Sequence, residues 1–342
     1  MIAPAGTLGS GTVLEVEGLT MAFKLRNGWF PAIRDISFTV ARNETLALVG
    51  ESGCGKSVTA LSIMRLLPER SGRIVGGRVV FGGRDLTKLD EHEMRTIRGN
   101  GIAMIFQEPM TSLNPVLTVG FQVAEALRYH RDSGWKQANA AALELLHQVQ
   151  IPSAERRFHE YPHQFSGGMR QRVMIAMALA CRPAVILADE PTTALDVTTQ
   201  AQVLALLSNL QRQMGMAMIF ITHNLGVVAA IADRIAVMYA GDIVEIGPVK
   251  DLFARPLHPY TEALLRCIPR VDRDIVDLQL IEGRVPSIDR MPAGCRYAER
   301  CPLKTPRCER EDPELLPVSG APARQIRCWV RGPLAAPLGE QQ

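Results

Sequence analysis

Thr45-Leu46-Ala47-Leu48-Val49-Gly50-Glu51-Ser52-Gly53-Cys54-Gly55-Lys56-Ser57 is the stretch that decides the fold. A short apolar run ends in Gly50, and Gly50, Gly55, Lys56 and Ser57 satisfy the phosphate-binding pattern GxxxxGK[ST]. The glycines let the chain curl so that the N–H groups from Gly50 through Glu51, Ser52, Gly53, Cys54 and Gly55 point inward. No Cβ then bars a phosphate. Lys56 is placed to reach the β- and γ-phosphates, and the Ser57 hydroxyl is a magnesium ligand. A helix expected over 57–67 adds its positive N-terminal end. Strand, loop and helix signals coincide, and together they predict a nucleoside triphosphate site in an α/β fold.

Composition bounds the rest. A chain of 342 residues is long enough for one large domain with an extension, or for two domains. Hydrophobic residues make up 47% and charged ones 21%, which is globular composition. The net charge of +3 is too small to call for a nucleic-acid partner. No apolar run approaches the ~18 residues a membrane span needs. The first twenty residues lack a basic start followed by an apolar core, so a cytoplasmic chain is expected, with membrane association only through partners. Cys54, Cys181 and Cys267 read as packing positions, although a thiol beside a helix N-terminus, as Cys54 is, has a lowered pKa.

Outward from the loop, strands are expected at 13–23 and 33–40, joined by a hairpin loop over 24–31 that carries Asn27-Gly28. Residues 1–11 have the composition of a disordered start. Phe23, Trp29 and Phe30 lie near the hairpin. An aromatic ring there either stacks on an adenine base or packs ordinarily, and Phe23 is taken as the stacker. Downstream strands are expected at 78–81 and 102–107, with a helix over 90–98 that has Asp90 as N-cap and Glu93 three residues on. Helices over 119–130 and 135–149 carry apolar residues at three-and-four spacing, so the block 108–165 reads as a helical insertion. Strand signals return at 184–188, 217–222 and 235–244. A long helix over 198–214 offers Leu204, Leu207 and Leu210 for one face. Apolar strands separated by helices predict a mostly parallel sheet covered on both sides. Prolines recur after Pro248 and set a boundary near residue 250.

The strand at 184–188 ends in Asp189-Glu190, and two adjacent carboxylates suit two roles in phosphoryl transfer. Asp189 would hold magnesium through water together with Ser57. Glu190 would orient and polarise the attacking water. Phe165-Ser166-Gly167-Gly168-Met169-Arg170-Gln171-Arg172 precedes an apolar helix, with Ser166 a good N-cap and two glycines that let a phosphate approach. This stretch resembles the signature motif of ATP-binding cassette (ABC) ATPases, usually LSGGQ, with Phe165 in place of Leu and Met169 in place of Gln. The resemblance implies that Ser166, Gly167, Gly168 and Met169 contact the γ-phosphate of ATP held by another subunit. Gln107 resembles the Q-loop glutamine, which senses magnesium and the membrane partner. Residues 193–196 resemble the D-loop, with Asp196 reaching across the dimer, and His223 resembles the switch histidine at the γ-phosphate. Six motifs in the family's order along the chain, over residues 23–223, identify the chain as a member of the ABC family.

Within that family, the loop 107–115, the run His258-Pro259-Tyr260-Thr261 and the cysteine-rich tail resemble the ATPase subunits of dipeptide and oligopeptide importers. The relatives of those subunits also move nickel, glutathione or antimicrobial peptides. The resemblance implies an α/β, ABC-type nucleotide-binding domain over 12–250, with a mostly parallel sheet, an antiparallel β-subdomain and an inserted helical subdomain at about 108–165. A small Pro/Cys-rich extension follows over 251–342. It implies hydrolysis of ATP with Mg2+ to power import, at the cytoplasmic face of the inner (plasma) membrane. The implied partners are a second, paralogous ABC ATPase subunit, two membrane permease subunits and an extracytoplasmic peptide-binding protein. A soluble, non-transport ABC ATPase is the alternative, but such chains carry two cassettes or a long coiled coil. This chain has one phosphate loop and no extended heptads. Cys295, Cys301, Cys308 and Cys328 are separated by five, six and nineteen residues. Four thiolates suit zinc or an iron–sulfur cluster, and these gaps are wider than paired zinc ligands usually show. Importer subunits with such a tail resemble carriers of a 4Fe–4S cluster, and four unligated thiols remain the plain alternative.

Overall fold

A computed structural model of the chain describes residues 11–131, 134–193, 195–267 and 281–333. Residues 1–10 of the expected disordered start, Ala194 of the D-loop resemblance and the last nine residues lie outside them. In chain order the strands are β1 (Thr12–Leu25), β2 (Gly28–Ala41), β3 (Thr45–Val49), β4 (Gly72–Phe81), β5 (Arg84–Asp85), β6 (Ile102–Ile105), β7 (Val185–Asp189), β8 (Ala217–Thr222), β9 (Arg234–Tyr239), β10 (Asp242–Pro248), β11 (Leu316–Val318) and β12 (Ala321–Ile326). The helices are α1 (Lys56–Ile63), α2 (Glu91–Ile97), α3 (Pro109–Ser112), α4 (Val119–Arg131), α5 (Trp135–Gln148), α6 (Ala154–Arg157), α7 (Gly167–Leu179), α8 (Val197–Met214), α9 (Leu225–Ile231), α10 (Val249–Ala254), α11 (Pro259–Arg266) and α12 (Pro306–Arg310). Two compact units divide these elements.

One unit comprises Thr39–Glu44 and Val80–Phe220, with the chain start up to Leu14. Here β6 and β7 pair in parallel, from Ile102 opposite Val185 to Ile105 opposite Ala188. Every residue of β7 is buried, as a strand covered on both faces requires. Helices α3, α4, α5 and α6 all fall within the span 108–165. Helix α7 follows that span, buries Val173, Met174, Ile175, Ala176, Ala178 and Leu179, and packs against α4 and α5. On α8 the buried face is Val203, Leu206, Leu207 and Leu210, while Leu204 is only half-buried. The expected face is thus turned by part of a residue step. At α2 the Asp90 carboxylate accepts the Glu93 N–H at 2.8 Å and Glu93 returns a bond to the Asp90 N–H at 3.0 Å, the capping box read from sequence.

The other unit comprises Glu15–Phe38, Thr45–Val79 and Ile221–Gln342. Strands β11, β12, β10, β9 and β3 lie side by side in that order. The first three contacts are antiparallel, and β9 with β3 is parallel, from Leu46 opposite Arg234 to Val49 opposite Val237. The sequence reading of one strand over 235–244 is corrected here. Ala240 and Gly241 both take positive φ (46° and 89°) and fold the run into the β9–β10 hairpin. The strands on both sides are buried along nearly their whole length, and the turn signal between them is Gly241-Asp242. The hairpin loop expected over 24–31 is likewise shorter: β1 runs to Leu25 and β2 starts at Gly28, leaving a two-residue turn. Strand β4 starts at Gly72, and α1 stops at Ile63, two residues before Arg65 adopts a positive φ of 51°. A core of Ala47, Val49, Val228, Val237, Leu252, Tyr239, Tyr260 and Tyr297 joins the strand that feeds the loop to residues beyond 250.

Candidate functional site

The phosphate loop leaves β3 at Val49. Gly50 has a φ of 154°, and a Cβ there would run into the Met238 carbonyl of β9, so the neighbouring strand itself demands glycine. Gly55 has a φ of 107° and is the N-cap of α1. Inside the loop Lys56 is 5% exposed. Its ammonium donates to the carbonyls of Gly50 (2.8 Å) and Glu51 (3.0 Å), which hold it at the centre of the curl. Ser57 lies in the first turn of α1, half-buried, while Ser52 and Gly53 are exposed at the rim. Cys54 is fully buried beneath Lys56, and burial pushes its thiol up, with the Lys56 charge opposing. That reverses the lowered pKa expected beside a helix N-terminus, because desolvation outweighs the helix end.

Of the hairpin aromatics, Trp29 carries the Arg73 guanidinium over its face at 3.9 Å. Phe23, half-buried near the end of β1, stands against Gly72, where a Cβ would come within 3.3 Å of its ring. His223 is exposed between Thr222 and Asn224, whose side chain accepts the Gly226 and Val227 N–H groups and caps α9.

In the other unit, β7 delivers Asp189, which is 5% exposed, and then Glu190, which is forced to a φ of 44°. A left-handed glutamate is strained backbone, of the kind that holds one side chain in one place. Its carboxylate accepts a hydrogen bond from the Thr193 hydroxyl at 2.9 Å and lies 3.4 Å from the Gln107 amide. Gln107 and Glu190, read separately from sequence, therefore meet. Thr193, which the sequence reading left without a role of its own, is part of the same group. Ser166 caps α7 by accepting the Met169 N–H at 3.3 Å. A Cβ on Gly168 would press on the Thr199 methyl at 2.5 Å, and one on Gly167 would touch Leu195 at 3.7 Å. The signature glycines thus also permit close packing on the start of α8. Asp196 caps that helix, accepting the Thr199 N–H at 2.9 Å, and this bond holds its carboxyl below the usual range.

The four tail cysteines are free thiols, and each lies within electrostatic reach of the other three. Burial, together with the facing Cys308, Cys328 and Cys301, pushes Cys295 up to about 12. Backbone bonds knit the segment: the Cys295 N–H donates to the Cys308 carbonyl at 2.8 Å. A Cβ on Gly294 would strike the Cys308 carbonyl, and one on Gly332 would strike that of Cys328. Among the described residues no three His, Cys, Asp or Glu side chains gather as ligands of a single metal ion. Arg300 forms a two-pronged bridge to Glu51 of the phosphate loop. The partners are 249 positions apart, and no local pattern signals the pair.

Comparison with known proteins sets these groups in context. Residues 33–193 match the family described as ABC transporter, and residues 244–308 match the oligopeptide/dipeptide transporter C-terminal region. The dipeptide transport ATP-binding protein DppD of Bacillus subtilis is 50% identical over 319 residues, which cover 93% of this chain and 95% of that one. The oligopeptide transport ATP-binding protein AppD of the same organism is also 50% identical, over 93% of this chain and 97% of its own. Among solved structures, the ATP-binding cassette MJ0796, dimeric in a post-hydrolysis state with ADP and Pi, aligns with a TM-score of 0.62 and 28% identity, over 69% of this chain and 98% of that one. No helix among the described residues is long and apolar enough to cross a membrane.

Proposed function

Because this chain belongs to the ABC transporter ATP-binding family, in its dipeptide and oligopeptide import branch, we propose the following reading of its parts. It is an ATP-hydrolysing subunit that powers import of di- or oligopeptides through a membrane ABC transporter. The observation that carries this is the loop over residues 50–57, with a buried Lys56 at its centre and a glycine that the next strand enforces. In this reading Gly50, Glu51, Ser52, Gly53, Cys54, Gly55, Lys56 and Ser57 cradle the phosphates, and Phe23 stacks on the adenine. Ser57, Gln107 and Asp189 serve magnesium. Glu190 orients the attacking water, supported by its strained backbone and by its bonds to Thr193 and Gln107. His223 senses the γ-phosphate. Ser166, Gly167, Gly168 and Met169 complete the site of a second subunit, toward which Asp196 also faces.

Residues 12–250 act as the ATPase domain and 251–342 as the importer-type extension. A paralogous ATPase subunit, two permeases and an extracytoplasmic peptide-binding protein complete the machine, and this chain attaches peripherally at the cytoplasmic face. Glu190→Gln tests the central assignment. Turnover should fall at least about a hundredfold while ATP still binds. Near-normal turnover would remove Glu190 from the mechanism.

The tail is read as the holder of a 4Fe–4S cluster. Each thiolate of such a cluster binds a different iron, so its ligands stand further apart than those around one ion. What supports this reading is that Cys295, Cys301, Cys308 and Cys328 are all free thiols within electrostatic reach of one another. Cys295, Cys301, Cys308 and Cys328 would be the ligands, and the bound cluster would cross-link three stretches of a segment poor in regular structure. Anaerobically purified protein should contain iron and sulfide at four each per chain. Zinc, or no metal, would overturn this reading.

A further inference from the structure

Glu51 is the second residue of the phosphate loop, and all of its polar groups are held. Its carbonyl accepts from Lys56 at 3.0 Å. Its N–H donates to the Tyr260 hydroxyl at 2.9 Å. Its two carboxylate oxygens receive the two ends of the Arg300 guanidinium, at 2.9 and 3.2 Å. Two of these three anchors come from beyond residue 250.

The Arg300 side chain is only 4% exposed. Its remaining donors are also engaged, Nε on the Glu282 carbonyl at 2.8 Å and Nη2 on the Ile281 carbonyl at 3.1 Å. A guanidinium buried this deeply would be costly without its carboxylate, and it has no freedom to swing away. Where the backbone around residue 300 goes, Glu51 must follow. That backbone is a tight turn between two of the cysteines. The Ala298 N–H donates to the Cys295 carbonyl at 3.0 Å, that of Arg300 to Tyr297 at 3.1 Å, and that of Cys301 to Ala298 at 3.3 Å. Tyr239, Tyr260 and Tyr297 form a triangle with ring centroids 4.7 to 5.3 Å apart, filling the space between the turn and the loop. Tyr239 ends β9, the parallel neighbour of the strand that feeds the loop.

We propose that Arg300 is a positioning residue of the phosphate loop, through which the turn bearing Cys295 and Cys301 sets the loop's affinity for nucleotide. This rests on the reading of residues 50–57 as the ATP phosphate site. The physical basis is that a loop binding phosphate through backbone N–H groups works only when those groups converge. Glu51 leads into that convergence, and its carbonyl also steadies Lys56. A shift of the backbone in the cysteine segment then reaches the loop through the Arg300 side chain, whose donors are engaged on both sides.

Affinity for a fluorescent ATP analogue, measured on the full-length protein well below its melting temperature, tests the proposal. Arg300→Ala should weaken binding about tenfold, the scale of a lost charge-assisted hydrogen bond. Arg300→Lys should fall between, since it keeps the charge but not the fork. It also carries the test if the alanine variant does not fold. Glu51→Ala should weaken binding similarly, and the double variant no more than the worse single, because both act through one contact. Cys301→Ser should weaken binding in the native background and add nothing to Arg300→Ala. Native-like affinity in Arg300→Ala, or full addition in the double variant, would overturn the positioning role. Full addition of Cys301→Ser would overturn the link to the cysteine turn. Lys56→Ala serves as the control. If it binds like the native protein, the reading of the loop itself falls, an outcome distinct from failure at Arg300.

Discussion

Gly50 shows how one residue is fixed by its neighbours. It combines a positive φ with a Cβ position already occupied by the Met238 carbonyl, so Gly50→Ala is strained twice over. We expect that variant to lose nucleotide binding and to melt several degrees lower, measured by analogue titration and thermal unfolding. His258 makes a different point. It is 1% exposed, and its ring nitrogen accepts the Tyr260 N–H at 3.1 Å as the cap of α11. Burial, then the nearby Arg331 charge, pushes its pKa down to about 3. An unfolded histidine titrates near 6.5, so between those values the unfolded chain binds the extra proton. Stability should therefore fall as pH drops from about 6.5 toward 3, while above 6.5 this residue contributes no slope. His258→Asn keeps an acceptor for the cap, and urea midpoints at pH 7.5 and 5 should lie closer together than in the native chain. An unchanged gap would show that the folded chain protonates His258 as readily as the unfolded chain does, against a lowered pKa.

At the scale of elements, the junction of β8 and α9 joins stability to the site. Asn224 caps α9 with bonds to the Gly226 and Val227 N–H groups at 3.0 and 3.3 Å, while its own N–H is held by the Thr222 hydroxyl at 3.0 Å. His223 is bracketed by these bonds. Asn224→Ala should cost about 1 kcal/mol in denaturant unfolding, and Asn224→Asp should restore most of it. If His223 acts in turnover, the alanine variant should also lose activity beyond its loss of folded protein. The elements most legible in the sequence were those with a local signal of their own. The phosphate loop, the Asp90–Glu93 capping box and the Ser166 cap all depend on residues within a few positions of one another. The β9–β10 hairpin was missed although Gly241-Asp242 between two strand-like runs is a turn signal, because the apolar residues on both sides were read as one strand. Thr193 and Arg300 were missed for a different reason. Each matters through a contact made only once distant or irregular segments have folded, as with Arg300 and Glu51, 249 residues apart.

For the whole molecule, the prolines after residue 248 set the expected boundary near 250, and the residues on both sides of it share one compact unit. Strand β12 pairs with β10, placing Glu245 opposite Ile326. Glu245 is fully buried and depends on residues beyond the boundary, with Arg324 at 2.7 Å and the N–H groups of Leu257 and His258 on its carboxylate. Cutting the chain at residue 250 would leave that carboxylate buried without partners or expose it together with the strand edge. It would also strip Leu252, Tyr260 and Tyr297 from the core beside β9. Each such side chain is worth about 1.5–3 kcal/mol of burial, and an orphaned buried charge costs several more. These losses approach the whole stability of an ordinary domain. A chain ending at residue 250 should therefore aggregate or melt more than about 10 °C below the full chain, whereas one ending at residue 333 should melt with it. A soluble 1–250 fragment with a native-like melting temperature and intact nucleotide binding would show that the extension is an appendage after all. It would also remove the physical route by which the cysteine segment reaches the phosphate loop.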